Sequence, residues 1–111
     1  MEQVFVYGTL KVGHSNNDLI EHGNFIGKDG ILGWEMKDLG PFPAIIKGNK
    51  HIIGEVWEIN NLEMLDMLEG YPSFYNREEI DTHYGKAWVY YIDTKDNSML
   101  DHTTIQTGEW I

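Results

Sequence analysis

Residues 62–69 carry the clearest helical pattern in the chain, and turn-forming residues flank them on both sides. Asn60 can cap this helix, with Glu63 three residues later as the reciprocal partner of a capping box. Gly70 supplies the left-handed residue that commonly ends a helix, and Pro72 prevents continuation. The other segments are mostly typical of strands, so we expect one clear helix in an α+β domain.

Glu69 is the most informative residue of this helix. At about 100° per residue, Leu62, Leu65 and Glu69 fall on one face. Glu63 points away from that face, and Asp66 lies at its edge. Burial of an unpaired carboxylate raises its pKa towards the range in which a general acid or base works near neutral pH. The alternative is that Glu69 lies in a frayed last turn and points into water.

The composition limits the class of protein. The 111 residues show no compositional break, so we expect a single domain over 1–111, and 41% hydrophobic with 13% aromatic residues indicates a packed core. Cysteine is absent, which excludes a disulfide, a thiol nucleophile and a cysteine-based metal site. The five histidines form no pair at metal-ligand spacing, so we expect no metal and no cofactor.

The charge and the start of the chain limit its partners and location. A formal net charge of −10 disfavours nucleic acid and anionic membranes as partners. Residues 1–4 lack a basic leader, and no stretch approaches the length of a membrane span. The expected location is therefore the cytoplasm.

The strand-like segments are separated by glycine and proline. A mid-strand glycine, Gly54, indicates a bulge or a close approach of another backbone. Gly48 and Asn49 are suited to a two-residue hairpin turn. We expect a sheet curled into a small barrel, built from strands over 4–7, 31–39, 44–46, 51–59, 74–83 and 86–93, with a turn at Tyr84-Gly85, a short helix over 17–22 and an extended tail over 103–111.

The segment Tyr7-Gly8-Thr9-Leu10 leaves the first strand through a glycine. Backbone N–H groups exposed in such a loop can bind a carboxylate or stabilise an oxyanion. Most strand–glycine turns have no ligand, and neither Walker nor dinucleotide-binding spacing is present.

Together, the sequences of the loop and the helix form a more specific signature than either segment alone. Residues 4–11, Val-Phe-Val-Tyr-Gly-Thr-Leu-Lys, are followed by residues 65–72, Leu-Asp-Met-Leu-Glu-Gly-Tyr-Pro, with Tyr75 and Arg77 close behind. This order resembles the γ-glutamylcyclotransferase family, and most of all its γ-glutamylamine cyclotransferase branch. The same branch is similar over residues 38–44, 54–56 and 107–110.

The resemblance implies a small mixed β-barrel flanked by short helices, and a reaction that turns a γ-glutamyl amide into 5-oxoproline and a free amine. It implies that Glu69 is the acid/base and that Tyr7, Gly8, Thr9 and Leu10 hold the glutamyl part. The substrate's own α-amino group is the nucleophile in this reaction. Because well-oriented intramolecular attack reaches effective molarities of about 10⁵–10⁸ M, no serine, cysteine or metal is needed.

The roles of four further residues stay open at the level of sequence. Tyr75 is either a pocket residue that contacts the substrate or an ordinary core aromatic. Arg77, the only arginine, either holds the substrate α-carboxylate or forms a structural ion pair, and the ion pair is favoured in so acidic a protein. Tyr90 and Tyr91 alternate faces, so only one of them can point inward.

Two classes of function follow. The first is an enzyme that acts on a small-molecule γ-glutamyl substrate, with γ-glutamyl-ε-lysine, other γ-glutamylamines and γ-glutamyl-protected intermediates as open choices. The alternative is a non-catalytic module that binds another small carboxylate or amine in the same pocket. Glu69 favours the enzyme, because a plain binder of an anionic glutamyl group gains nothing from a buried acid. The oligomeric state is not specified by the sequence.

Overall fold

A computed structural model describes residues 1–93 and 101–111 of the protein. Within these residues, six strands form one mixed sheet in the order β4-β5-β1-β3-β2-β6. The elements are β1 (Glu2–Val6), a 3₁₀ helix (Asn17–Leu19), β2 (Asn24–Asp38), β3 (Pro43–Ile59), α1 (Glu63–Glu69), β4 (Asn76–Thr82), β5 (Gly85–Tyr91) and β6 (Thr103–Thr104).

The sheet is strongly curled, because two non-adjacent parts of it are joined by hydrogen bonds. The turn between β4 and β5 reaches β2, where the His83 N–H donates to Asp29 Oδ2 at 2.8 Å and the ring Nδ1 lies 2.6 Å from Oδ1. In the sheet order, three strands separate β4 from β2. The sheet is therefore a curled half-barrel, and the predicted α+β fold class is confirmed.

Both faces of the sheet are apolar. Along β1, Val4 and Val6 pack on the side that carries α1, whereas Phe5 packs on the opposite side. This alternation follows from the two-residue period of a strand. Leu65 is fully buried against the first side and joins α1 to the sheet.

Gly54 lies where β3 passes close to β1. A Cβ atom at this position would meet the Val6 carbonyl oxygen and would lie 2.8 Å from Phe5 Cζ. The predicted close approach of another backbone is confirmed.

The predicted hairpin at Gly48-Asn49 is wrong. β3 runs without a break through these residues, and the turn between β2 and β3 lies at Gly40, where φ is 98°. The additional residues are accommodated as a bulge, since Trp34 of β2 is paired with both Lys47 and Lys50. Pairing along the whole of β2 outweighs the local turn preference of the Gly-Asn dipeptide.

The predicted capping box at Asn60 is also wrong. α1 begins two residues later than that box requires, and the Oδ1 atom of Asn61 accepts a 3.0 Å hydrogen bond from the Glu63 N–H. Gly70 ends the helix in the left-handed conformation, as predicted, with φ of 67°.

Several boundaries differ from the sequence-based expectation. β2 begins seven residues before the predicted start at Ile31, because its polar and glycine-rich first half pairs with β3. The β4–β5 turn lies at His83-Tyr84, since Thr82 is paired with Gly85. In the tail, only two residues form a strand. No helix of the described residues is long and apolar enough to cross a membrane.

Replacement of Asp29 by asparagine should lower the free energy of unfolding by about 1–3 kcal/mol, because the amide would turn a donor towards the donors of His83. Burial opposes ionisation of Asp29, but hydrogen bonds from His83 and Gly30 outweigh it and hold the pKa of Asp29 below its ordinary value. Its contribution is therefore present above that ordinary pKa and lost as pH falls through the lowered one.

Urea denaturation at neutral pH measures this effect. The matched control is Asp81→Asn, since the Asp81 side chain is 86% exposed and its pairing with Lys86 contributes little. Equal stability of the two variants would show that the link between β4–β5 and β2 does not stabilise the fold.

Candidate active site

A cavity of about 340 Å³ lies between the loop after β1, the β2–β3 turn and the end of α1. Its walls are formed by segments that are far apart in the sequence and that the curled sheet brings together. The six residues that the sequence singled out as catalytic or substrate-binding all line it: Tyr7, Gly8, Thr9, Leu10, Glu69 and Tyr75.

Glu69 is the last residue of α1 and lines the cavity. The helix does not fray at this point, because the Gly70 N–H is bonded to the Asp66 and Met67 carbonyls and the Glu69 carbonyl accepts from the Tyr75 N–H at 3.3 Å. Burial raises the pKa of Glu69 from 4.5 to about 7. A carboxyl group with this pKa can both take and return a proton near neutral pH.

Gly8 allows the loop after β1 to pass close to the β2–β3 turn. A Cβ atom on Gly8 would lie 2.8 Å from Pro43 Cγ, so a larger residue would displace one of the two walls. A hydrogen bond within the loop also stabilises it, since the Gly8 carbonyl accepts from the Lys11 N–H at 3.1 Å.

The carbonyl groups of the loop are turned towards the protein. Thr9 O accepts from the Asn16 N–H at 2.8 Å, and Leu10 O accepts from Asn17 Nδ2 at 2.8 Å. Among the described residues, no acceptor is paired with the N–H groups of Thr9 and Leu10. Such N–H groups can bind a carboxylate or an oxyanion.

Two tyrosines that line the cavity donate their hydroxyl protons to backbone carbonyls. Tyr7 donates to the Tyr90 carbonyl at 2.7 Å, and Tyr75 donates to the Pro43 carbonyl at 2.9 Å. Burial, together with the nearby Glu69 carboxylate, raises the pKa of both phenols well above their ordinary value. Because each proton is already donated, the hydroxyl oxygens can accept hydrogen bonds from a ligand.

Asp66 fixes α1 to the sheet one turn before Glu69. Its Oδ1 atom accepts a 2.6 Å hydrogen bond from the Tyr90 hydroxyl and lies 3.0 Å from Arg77 Nε. The Arg77 guanidinium packs between the rings of Tyr71 and Trp88, 4.5 and 4.6 Å from their centroids. Arg77 thus forms a structural ion pair and does not line the cavity.

The structure also distinguishes the two adjacent tyrosines of β5. Tyr90 lines the cavity, whereas Tyr91 packs against Trp34 on the opposite face, with ring centroids 5.4 Å apart. Sequence reasoning missed part of the wall, because apolar and amide side chains carry no pattern that distinguishes a cavity wall from the core or the surface. The missed residues include Asn16, Phe42, Pro43, Leu68 and Phe74.

Within the described residues, no group of three or more histidine, aspartate or glutamate side chains could hold a metal ion. The residues that line the cavity thus include one carboxyl group with a pKa of about 7, two tyrosines and a loop whose Thr9 and Leu10 N–H groups have no acceptor among the described residues.

Comparison with known proteins identifies the family of this chain. Residues 4–111 match the family described as "Gamma-glutamyl cyclotransferase, AIG2-like". The chain belongs to this family, as the resemblance in the sequence predicted.

Individual relatives agree with this assignment. A Vibrio cholerae protein, whose name gives γ-glutamylcyclotransferase activity only provisionally, is 36% identical over 110 residues, covering 96% of this chain and 93% of the relative. The solution structure of the Escherichia coli protein YtfP is 32% identical, with a TM-score of 0.76 over 98% of this chain and 96% of that one. A mouse AIG2-like protein has a TM-score of 0.83 at 24% identity over 96% of this chain and 86% of that one, which supports the fold alone.

Replacement of Glu69 by glutamine should stabilise the protein above neutral pH. Because the pKa of Glu69 is about 7 in the folded state and 4.5 ordinarily, the folded protein keeps a proton that the unfolded chain has lost. The stability of the unsubstituted protein therefore falls as pH rises between these values, by up to about 3 kcal/mol. Because glutamine does not ionise, the Glu69→Gln protein should not lose this stability as pH rises.

Urea denaturation at about pH 5 and about pH 8 tests this expectation. The stability difference between the two proteins should be small at the lower pH and large at the higher one. Glu63→Gln is the matched control, since Glu63 lies on the same helix but is exposed. A difference that does not change with pH would contradict the burial of the Glu69 carboxyl.

Proposed function

We propose that the protein cyclises a γ-glutamyl amide to 5-oxoproline and releases a free amine, with Glu69 as the acid/base. The observation that carries this proposal is the position of the Glu69 carboxyl, with a pKa of about 7, in a cavity walled by the loop after β1. Membership of the family supports the same reaction.

The reaction moves two protons from the substrate α-nitrogen to the departing nitrogen and needs no external nucleophile. The substrate α-amino group is largely protonated at neutral pH, so the ionised Glu69 first removes a proton from it. The amine nitrogen then attacks the γ-carbonyl carbon and closes a five-membered ring, and Glu69 returns the proton to the amide nitrogen as its bond to the carbonyl carbon breaks. The ring nitrogen then gives up its second proton to Glu69, which passes it to the released amine, so that the amine leaves as an ammonium ion and Glu69 ends in its starting ionised state.

The loop after β1 supplies binding and stabilisation of charge. We place the glutamyl part of the substrate against the N–H groups of Thr9 and Leu10, where an α-carboxylate or the oxyanion of the tetrahedral intermediate can accept hydrogen bonds. The oxygens of Tyr7 and Tyr75 are suited to the α-ammonium group, because their own protons are donated elsewhere. No metal takes part in this scheme.

Replacement of Glu69 by glutamine should lower turnover of a γ-glutamyl amide by about 10²–10⁴-fold, which is the usual effect of losing a general acid/base. Glutamine is nearly isosteric but cannot exchange a proton, so the ligand should still bind. The measurement is the rate of 5-oxoproline formation from a panel of γ-glutamyl amines, together with binding of 5-oxoproline by calorimetry.

Glu63→Gln on the exposed face of α1 is the control and should keep full turnover. If Glu69→Gln retained more than half of the activity, the assigned role of Glu69 would be wrong. If the unsubstituted protein bound 5-oxoproline but converted no member of the panel, the non-catalytic binding module would be the better interpretation.

The pH dependence should follow the state of Glu69. The carboxyl acts first as a base, so kcat/KM should fall as pH decreases through about 7, well above the ordinary glutamate range. A rate profile between about pH 5 and about pH 9 measures this limb. The same rates should be found with a chelator present, whereas loss of activity with chelator and recovery with a divalent metal would contradict the scheme.

A further inference from the structure

The mouth of the cavity differs in chemistry from its floor. The floor is made of buried polar-tipped side chains such as Tyr7 and Tyr75, with Glu69 beside them. The part of the wall that stays in contact with water carries large apolar side chains, together with the polar Ser15 and Asn16. We call these apolar side chains the apolar rim, and it consists of Pro41, Phe42, Leu68 and Phe74.

The side chains of the apolar rim remain in contact with water, which is energetically unfavourable. Leu68 is 41% exposed and Phe74 is 49% exposed, although both line the cavity. Leu68 directly precedes Glu69 on α1, and both residues line the cavity. Apolar surface at the mouth of a small-molecule site usually contacts part of the ligand.

The apolar rim is also held in place by hydrogen bonds of its own backbone. The Phe74 N–H donates to the Gly70 carbonyl at 2.7 Å, and the Phe74 ring packs edge-on against Tyr75 with centroids 5.0 Å apart. The Phe42 carbonyl accepts from the Leu39 N–H at 3.1 Å. A ligand group placed here would therefore meet a surface that is already formed, which reduces the ordering cost of binding.

No cationic side chain lines the cavity among the described residues. The nearest basic side chain along the loop, Lys11, donates to the Trp110 carbonyl, and Arg77 is paired with Asp66. A carboxylate next to the amide nitrogen of a substrate would lose water here without gaining a partner, which is unfavourable.

We propose that the apolar rim is the subsite for the departing amine, and that the protein prefers γ-glutamyl amides of uncharged alkyl or aryl amines. This inference rests on the proposed function, because the glutamyl end is taken to occupy the floor with the loop after β1 and Glu69. The amine substituent then leaves the cavity between Leu68 and Phe74.

A homologous series of substrates tests the apolar contact. We expect kcat/KM to rise by about tenfold from γ-glutamylethylamide to γ-glutamylhexylamide, since a methylene fully removed from water is worth about fourfold and the rim is half open. γ-Glutamylbenzylamide should also exceed the ethylamide.

A second pair of substrates tests the effect of a cavity wall without cationic side chains. γ-Glutamylisopropylamide and γ-glutamylalanine differ by a methyl group in place of a carboxylate on the same carbon. Because no cationic side chain among the described wall residues can pair with that carboxylate, we expect the isopropylamide to be favoured by about tenfold or more.

Two variants test whether the apolar rim causes the preference for the longer alkyl chain. In Phe74→Ala and Leu68→Ala the ratio of the hexylamide to the ethylamide rate should fall to about one-third or less of its original value. Met67→Ala is the matched control, because Met67 is 83% exposed on the same helix and does not line the cavity. If circular dichroism shows that Phe74→Ala does not fold, the test relies on Leu68→Ala alone.

The outcomes separate this inference from the proposed function. Turnover of the ethylamide with no gain along the series, or a preference for γ-glutamylalanine, would overturn the inference and leave the cyclisation intact. Turnover of no γ-glutamyl amide at all would overturn the proposed function itself. An equal loss of chain-length preference in Met67→Ala would remove the role of the apolar rim.

Discussion

The attachment of α1 to the sheet is the interaction on which the candidate site depends. A helix of seven residues is too short to be stable in water without tertiary contacts. Leu65 supplies an apolar contact, and Asp66 supplies a directional one through the Tyr90 hydroxyl and the Arg77 ion pair. Because Glu69 follows Asp66 by one turn, these contacts determine where its carboxyl lies.

Two carboxyl groups of α1 lie in different surroundings. The Asp66 carboxyl is paired with Arg77, the only arginine of the chain, and accepts a hydrogen bond from the Tyr90 hydroxyl. The Glu69 carboxyl lies in the cavity wall, where burial raises its pKa to about 7. Asp66 thus attaches the helix to the sheet, whereas Glu69 provides the titratable group of the cavity.

The errors of sequence reasoning share one cause. Gly48-Asn49 has strong local turn chemistry, and Asn60 has strong local capping chemistry, yet neither is used in that way. In both places the pairing or packing of distant segments outweighs a local preference. The same limitation left Phe42 and Phe74 out of the predicted wall, because a residue beside a proline or glycine turn carries no periodic signal that says which cavity it faces.

The sequence by itself determined the end of α1 at Gly70, the break after β1 at Gly8 and the face of the helix that carries Glu69, since these depend on contacts within a few residues. The family assignment also followed from sequence order. Only the tertiary structure decided that Tyr90 rather than Tyr91 faces the cavity and that Arg77 pairs with Asp66. Those outcomes depend on the curl of the sheet, which brings β4 and β5 to α1 and which no local pattern specifies.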